Sequence, residues 1–242
     1  RGNSPELLYF DVTRGDVPVN SVDVSFEAAK GIGYIKVSKF ARNTYNEFIT
    51  AIAKLKQAGC TSFVIDLRGN TGGYMDAAIN MINEFMPEGR LIVYTEGKSF
   101  PRSDVYANGT GTCKDAPIVV LTDEISASAS EIFSGAIQDN DRGTIIGRRT
   151  YGKGLVQTQM SLSDGSEMRL TIARYYTPSG RCIQKKYEMG NTDAYDQDIY
   201  NRYMHGEFDS ADSIKMDDSL KYQTVGGRTV YGGGGIMPDI FI

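Results

Sequence analysis

Residues 117–138 read PIVVLTDEISASASEIFSGAIQ, and this stretch decides the fold. The run from Pro117 to Thr122 is short, apolar and β-branched, as expected of a buried strand. The run from Ser128 to Gln138 reads as an apolar helix, and Ser128-x-x-Glu131 at its start has the form of a capping box. A strand is therefore delivered through a tight turn to a helix N-terminus. Another strand, turn and helix lie upstream. Thr61–Leu67 is β-rich, residues 66–73 (DLRGNTGG) form a glycine-rich turn, and Ala77, Ala78, Met81, Ile82 and Phe85 then share one side of a helix stopped by Pro87. Strands that alternate with helices specify an α/β domain with a largely parallel core sheet.

Working outward, Gly33–Val37 is a strand. Thr44-x-x-Glu47 is a second capping box, opening a helix with Phe48, Ile49, Ile52 and Leu55 at helical spacing and Gly59 at its end. Leu91–Tyr94 and Thr144–Gly147 are short strands. Leu155–Leu162 and Glu167–Tyr176 form a hairpin about Ser163-Asp164-Gly165. Residues 8–26 read as extended pieces with a turn near Gly15-Asp16. Residues 188–221 are rich in Asp, Asn, Tyr and Met and read as a surface excursion with short helices. A final short strand follows Pro238-Asp239.

The 242 residues suit one large domain, and 40% hydrophobic with 23% charged residues is ordinary for a globular chain. A net charge of −4 gives no electrostatic footprint for nucleic acid. No apolar run approaches the roughly 18 residues that span a bilayer. Cys60, Cys113 and Cys182 are odd in number and far apart, which disfavours a disulfide framework or a zinc site. The single histidine, His205, lies in a polar stretch and reads as a surface residue.

The chemistry concentrates in two places. Ser126, Ser128 and Ser130 cluster at a helix N-terminus, where backbone N–H groups stabilise developing negative charge. Spacing alone leaves all three open as nucleophile. Further on, Lys153 sits between Gly152 and Gly154. With no histidine suitably placed, a serine nucleophile here calls for a lysine base, a known variant of serine catalysis. Such a base must be neutral, which desolvation promotes, and a strand heading into the core would help bury the amine. Gln157, four residues on, shares a face with Lys153 if the segment is extended, and its amide could orient the amine. The N–H of Ala129 is a natural half of an oxyanion hole, and a glycine N–H in the Gly72-Gly73 turn is the natural other half. Residues 147–153 satisfy the first part of GxxxxGK, but Gly154 replaces the required Ser or Thr and a strand follows, so a phosphate loop is rejected. The 66–73 turn lacks GxGxxG spacing, so a dinucleotide site is rejected as well.

Together these motifs resemble the C-terminal processing peptidases, or tail-specific proteases. The resemblance is carried by residues 31–35 (GIGYI) with Phe40, residues 66–73, residues 126–132 (SASASEI), Gln138-Asp139, residues 150–154 (TYGKG) with Val156-Gln157, residues 176–181 (YTPSGR) and residues 235–239 (GIMPD). It implies Ser128 as nucleophile, Lys153 as general base, Gln157 as supporting amide, and Gly73 with Ala129 as oxyanion donors. It implies a crotonase-like spiral of ββα units, with residues 1–26 as the end of a PDZ domain and its return linker. Residues 27–242 then form the catalytic core, with a polar insertion at about 188–231. It further implies a serine endopeptidase that needs no metal or organic cofactor and acts through an acyl-enzyme on proteins with exposed C-terminal tails. The expected setting is a bacterial periplasm or cell envelope, with an adaptor or self-assembly as further partners. Two other readings fit such a core: an acyl-CoA enzyme, and a non-catalytic binding module of the kind found in retinoid-binding proteins.

Overall fold

The computed structural model describes residues 9–15, 19–187, 190 and 192–242. Its centre is a six-stranded sheet in the order β1-β2-β3-β6-β7-β12. These strands are β1 (Val22–Ala29), β2 (Ile32–Val37), β3 (Ser62–Asp66), β6 (Ile118–Thr122), β7 (Thr144–Gly147) and β12 (Ile240–Phe241). From β2 to β12 the neighbours run parallel, and β1 alone is antiparallel. Ile35, Ile65, Val120 and Ile145 lie side by side across four strands, and all four are fully buried. Such continuous apolar strands form where a parallel sheet is covered by helices.

The cover is α1 (Thr44–Gln57), α2 (Met75–Asn83) and α3 (Ala129–Asp139). Phe85, just beyond α2, is the hinge of the packing. Its ring meets those of Phe48, Phe63 and Phe133 edge-on at 6.2, 6.3 and 6.4 Å, within the favoured range for such pairs. The 66–73 and 123–128 turns both leave the carboxyl ends of adjacent strands, β3 and β6, so they emerge side by side. Crevices at these ends are where open α/β sheets place their sites.

A second, four-stranded antiparallel sheet has the order β5-β4-β9-β8: β4 (Leu91–Glu96), β5 (Ser103–Tyr106), β8 (Leu155–Ser161) and β9 (Glu167–Tyr176). Tyr94 and Tyr176 stack across β4 and β9 at 4.8 Å. The polar region contains α4 (Thr192–Met204), two 3-10 turns, and a hairpin of β10 (Lys221–Gln223) and β11 (Thr229–Tyr231). No helix among the described residues is long and apolar enough to cross a membrane.

Three expectations change, and a fourth falls outside the described residues. The boundary drawn at 26 falls inside β1, which pairs with β2 along its length, so Val22–Ala29 belongs to the core sheet. Asp16 of the expected turn near Gly15 lies outside the described residues. The Thr44–Glu47 box does not form. Glu47 instead accepts the backbone N–H groups of Ser21 and Val22 at 2.6 and 3.0 Å, because the chain entering β1 presents unpaired donors there. Finally, residues 192–221 are more than a surface excursion, since Arg202 on α4 is 5% exposed and donates to the carbonyls of Arg149 and Thr150.

Candidate active site

Ser128 is the N-cap of α3, with φ 56° and ψ −113°. A positive φ at a residue with a Cβ costs on the order of 1–3 kcal/mol and persists only where surroundings over-determine it. Here they do. The Ser128 N–H donates to Glu131 Oε2 at 2.8 Å, and its carbonyl accepts from the N–H of Glu131 and of Ile132. On its N-terminal side, the Ala127 N–H donates to Asn70 O at 3.0 Å.

The structure separates the three serines. Ser126 is fully buried and its Oγ donates to Leu67 O at 2.8 Å. Ser130 is fully buried and its Oγ donates to Asn70 O at 2.9 Å. Both are spent in pinning α3 to the glycine turn. Ser128 alone retains partial exposure.

The glycine turn closes on it from the other side. A Cβ at Gly72 would stand 2.7 Å from Ser128 Cβ and 3.0 Å from the Ala129 N. Gly72 has φ 99°, so the turn needs glycine both for its conformation and for its approach. The Gly72 N–H is taken by Asn70 Oδ1 at 2.8 Å. Among the described residues, neither the Gly73 N–H nor the Ala129 N–H is drawn into a hydrogen bond. Ala129 directly follows Ser128, and Gly73 directly follows the glycine that approaches Ser128 so closely. The turn is anchored by Asp66, whose carboxylate accepts from Tyr34 Oη at 2.6 Å and from Arg68 at 2.6–3.1 Å. Burial pushes this carboxyl up, but the bonds from Arg68 and Tyr34 and the charge of Lys36 outweigh it and hold it at about 2.

Glu131 joins the two halves of the site. It is wholly buried. Its Oε1 accepts from Thr150 Oγ1 at 2.5 Å and the Gly152 N–H at 2.7 Å. Its Oε2 accepts from the N–H groups of Ser128 and Lys153, both at 2.8 Å. One carboxylate therefore holds the backbone of both Ser128 and Lys153. Burial pushes its pKa up, and the four donors counter that rise only in part. Sequence reading gave Glu131 a cap alone. Its further partners lie about twenty residues on, and no local pattern announces them.

The Lys153 side chain is exposed rather than buried as expected. Its flanking residues enter the edge strand β8, so the amine opens onto a groove. Among the described residues, no hydrogen bond joins it to Ser128 Oγ or to Gln157. Gln157 is also exposed, and its amide donates to Thr171 Oγ1 at 3.5 Å across the β8/β9 pair. The structure brings Ser128, Ala129 and the Gly72-Gly73 turn together, ties the Lys153 backbone to them, and directs Gln157 to its cross-strand neighbour. His205 stands exposed on its own turn.

Arg181 draws the remaining motifs to the far end of α3. It is 1% exposed and donates to Gln138 Oε1 and Asp139 Oδ1, both at 2.7 Å. The Gln138 amide in turn donates to Met237 O and Asp239 Oδ1 at 2.8 and 2.9 Å.

Comparison with known proteins agrees with this geometry. Residues 31–193 match peptidase family S41. The chain is 38% identical over 179 residues to a carboxyl-terminal-processing protease of Synechocystis sp., covering 73% of this chain and 42% of that protein. It is 36% identical to a probable CtpA-like serine protease of Staphylococcus epidermidis, over 72% of this chain and 35% of that one. Its fold superimposes on a photosystem II D1 C-terminal processing protease with a TM-score of 0.59 at 35% identity, covering 68% of this chain and 44% of that one. The chain thus spans less than half the length of these relatives. The match runs through the glycine turn, the serine elbow and the lysine loop alike, and on it the chain belongs to peptidase family S41.

Proposed function

We propose that this chain is the catalytic core of a serine endopeptidase that cleaves proteins near their C-termini through a Ser128–Lys153 dyad. The observation that carries the reading is Glu131, which fixes the strained Ser128 and the Lys153 backbone through one buried carboxylate. Ser128 Oγ attacks the scissile carbonyl while the neutral Lys153 amine takes its proton. The Gly73 and Ala129 N–H groups hold the oxyanion. The lysine then gives the proton to the leaving amine, and water hydrolyses the acyl-enzyme. A substrate lying in the groove strips water from the Lys153 amine, and dehydration favours the neutral form that accepts a proton. Gln157 serves as a supporting amide once the groove is filled.

The succession of strand and helix units around the parallel sheet is consistent with a crotonase-like spiral. The named activities of the relatives support the tail-directed substrate class, and a periplasmic or envelope setting is the location we favour. The test is turnover of a peptide carrying a free C-terminus. Ser128→Ala and Lys153→Ala should each abolish hydrolysis while leaving the circular dichroism spectrum unchanged. Full turnover in Lys153→Ala would remove the assigned base.

A further inference from the structure

The groove beside Lys153 has a volume of about 860 Å³, within the size range of true ligand sites. Its floor is Leu155, Ile172 and Ala173 of the β8/β9 pair. Its opposite wall is Tyr187, just ahead of the polar region, and Tyr195 of α4. The two rings meet edge-on at 5.8 Å, and Tyr187 is 52% exposed.

This wall is built into the loop that carries Lys153. Gln184 Oε1 accepts the Gly154 N–H at 3.0 Å, and the Lys185 N–H donates to Gly152 O at 2.9 Å. Lys185 Nζ is buried beneath the Tyr151 and Tyr195 rings at 4.1 and 4.2 Å and donates to Tyr195 O at 3.0 Å. From α4, Arg202 donates to the carbonyls of Arg149 and Thr150 at 2.7 and 3.1 Å and to Glu207, which Arg149 shares. The polar region therefore holds the base loop and the aromatic wall as one piece.

We infer that Tyr187 and Tyr195 are specificity-determining residues, selecting substrates with a large apolar or aromatic side chain in the segment that lies over Lys153. This rests on the reading of Lys153 as part of the active site. Apolar floor and aromatic wall favour such a side chain. Lys98 and Arg174 against Glu96 on the lining disfavour a cationic one. Losing one well-packed apolar contact in a pocket is worth on the order of 10-fold in discrimination.

The experiment measures binding by fluorescence anisotropy on the Ser128→Ala chain, so the readout does not depend on turnover. Labelled peptides differ at one position, carrying Phe, Ala or Lys, and that position is scanned along the sequence. Phe at one or two positions should bind about 10-fold tighter than Ala or Lys. Tyr187→Ala or Tyr195→Ala should reduce that ratio to within about 2-fold, and Tyr195→Phe should keep it. Tyr187 is exposed, so its truncation tests the wall without threatening the fold. Retention of the ratio in both alanine variants, or no preference for Phe in the parent, overturns the inference. Reactivity of Ser128 toward a small acylating probe is measured separately on the chain that keeps this serine. Its absence would sink the peptidase reading and leave the binding result standing.

Discussion

Replacing Glu131 by Gln tests whether one carboxylate holds the site together. Glu131 accepts four hydrogen bonds, none of them from a cationic side chain. A Gln side chain offers one oxygen and one NH₂ group. With its NH₂ turned to the Ser128 and Lys153 N–H groups, both donors go bare. With its NH₂ turned to the other side, the Thr150 hydroxyl can rotate to accept, but the Gly152 N–H is left unsatisfied. The better case loses one bond to a charged acceptor, about 1.5–3 kcal/mol, and strands one buried donor, about 1–3 kcal/mol. Relief of the buried charge returns part of this, so the net cost is about 2–4 kcal/mol. Urea unfolding followed by circular dichroism should show a lower midpoint with an unchanged slope. In the better orientation the Ser128 N–H donates to a neutral amide oxygen instead of a carboxylate, which loosens the hold on its positive φ, and labelling by a serine-reactive probe should slow by about 10-fold, the equivalent of about 1.4 kcal/mol. An unchanged midpoint together with labelling within about 2-fold of the parent would refute the role.

Other outcomes follow from the same contacts. Gly72→Ala places a methyl 2.7 Å from Ser128 Cβ at φ 99°, so it should cost about 1–3 kcal/mol and abolish Ser128 labelling; a fully reactive variant would show that the turn does not press on the nucleophile. Asp66, held at about 2 against an ordinary 3.8, contributes about 2 kcal/mol. That contribution is complete above about pH 4 and is lost as pH falls toward 2; the stability difference between the parent and Asp66→Asn should shrink over that window, and a difference flat with pH would contradict the assignment. Arg181→Met leaves Asp139 buried without its cation, at a cost of about 3–5 kcal/mol, and Asp139→Asn in the same chain should recover part of it.

Local pattern carried the elements that bear the chemistry. The apolar run 118–122 and the Ser128–Glu131 signature sufficed for β6, α3 and the elbow between them, because each depends on residues within one turn. What escaped depends on residues far apart in the chain. Ser126 and Ser130 look as reactive as Ser128 until Leu67 and Asn70 are brought beneath them by the β3/β6 register. Glu47 has the spacing of a cap, yet the donors of β1 arrive from more than twenty residues upstream. β5 (Ser103–Tyr106) is short and largely exposed and has no periodicity to read. The aromatic wall is invisible for the same reason, since Tyr187 and Tyr195 lie in a polar stretch and gain meaning only where α4 packs on the lysine loop.

The central claim is that Ser128 is activated by Lys153. It is tested most directly by treating the protein with a serine-reactive acylating agent, mapping the modified residue by peptide mass spectrometry, and following the rate in the parent and in Lys153→Ala. The account predicts a single label on Ser128 that forms at least about 100-fold more slowly without the lysine. A label on another serine, or an equal rate in the two proteins, would contradict it.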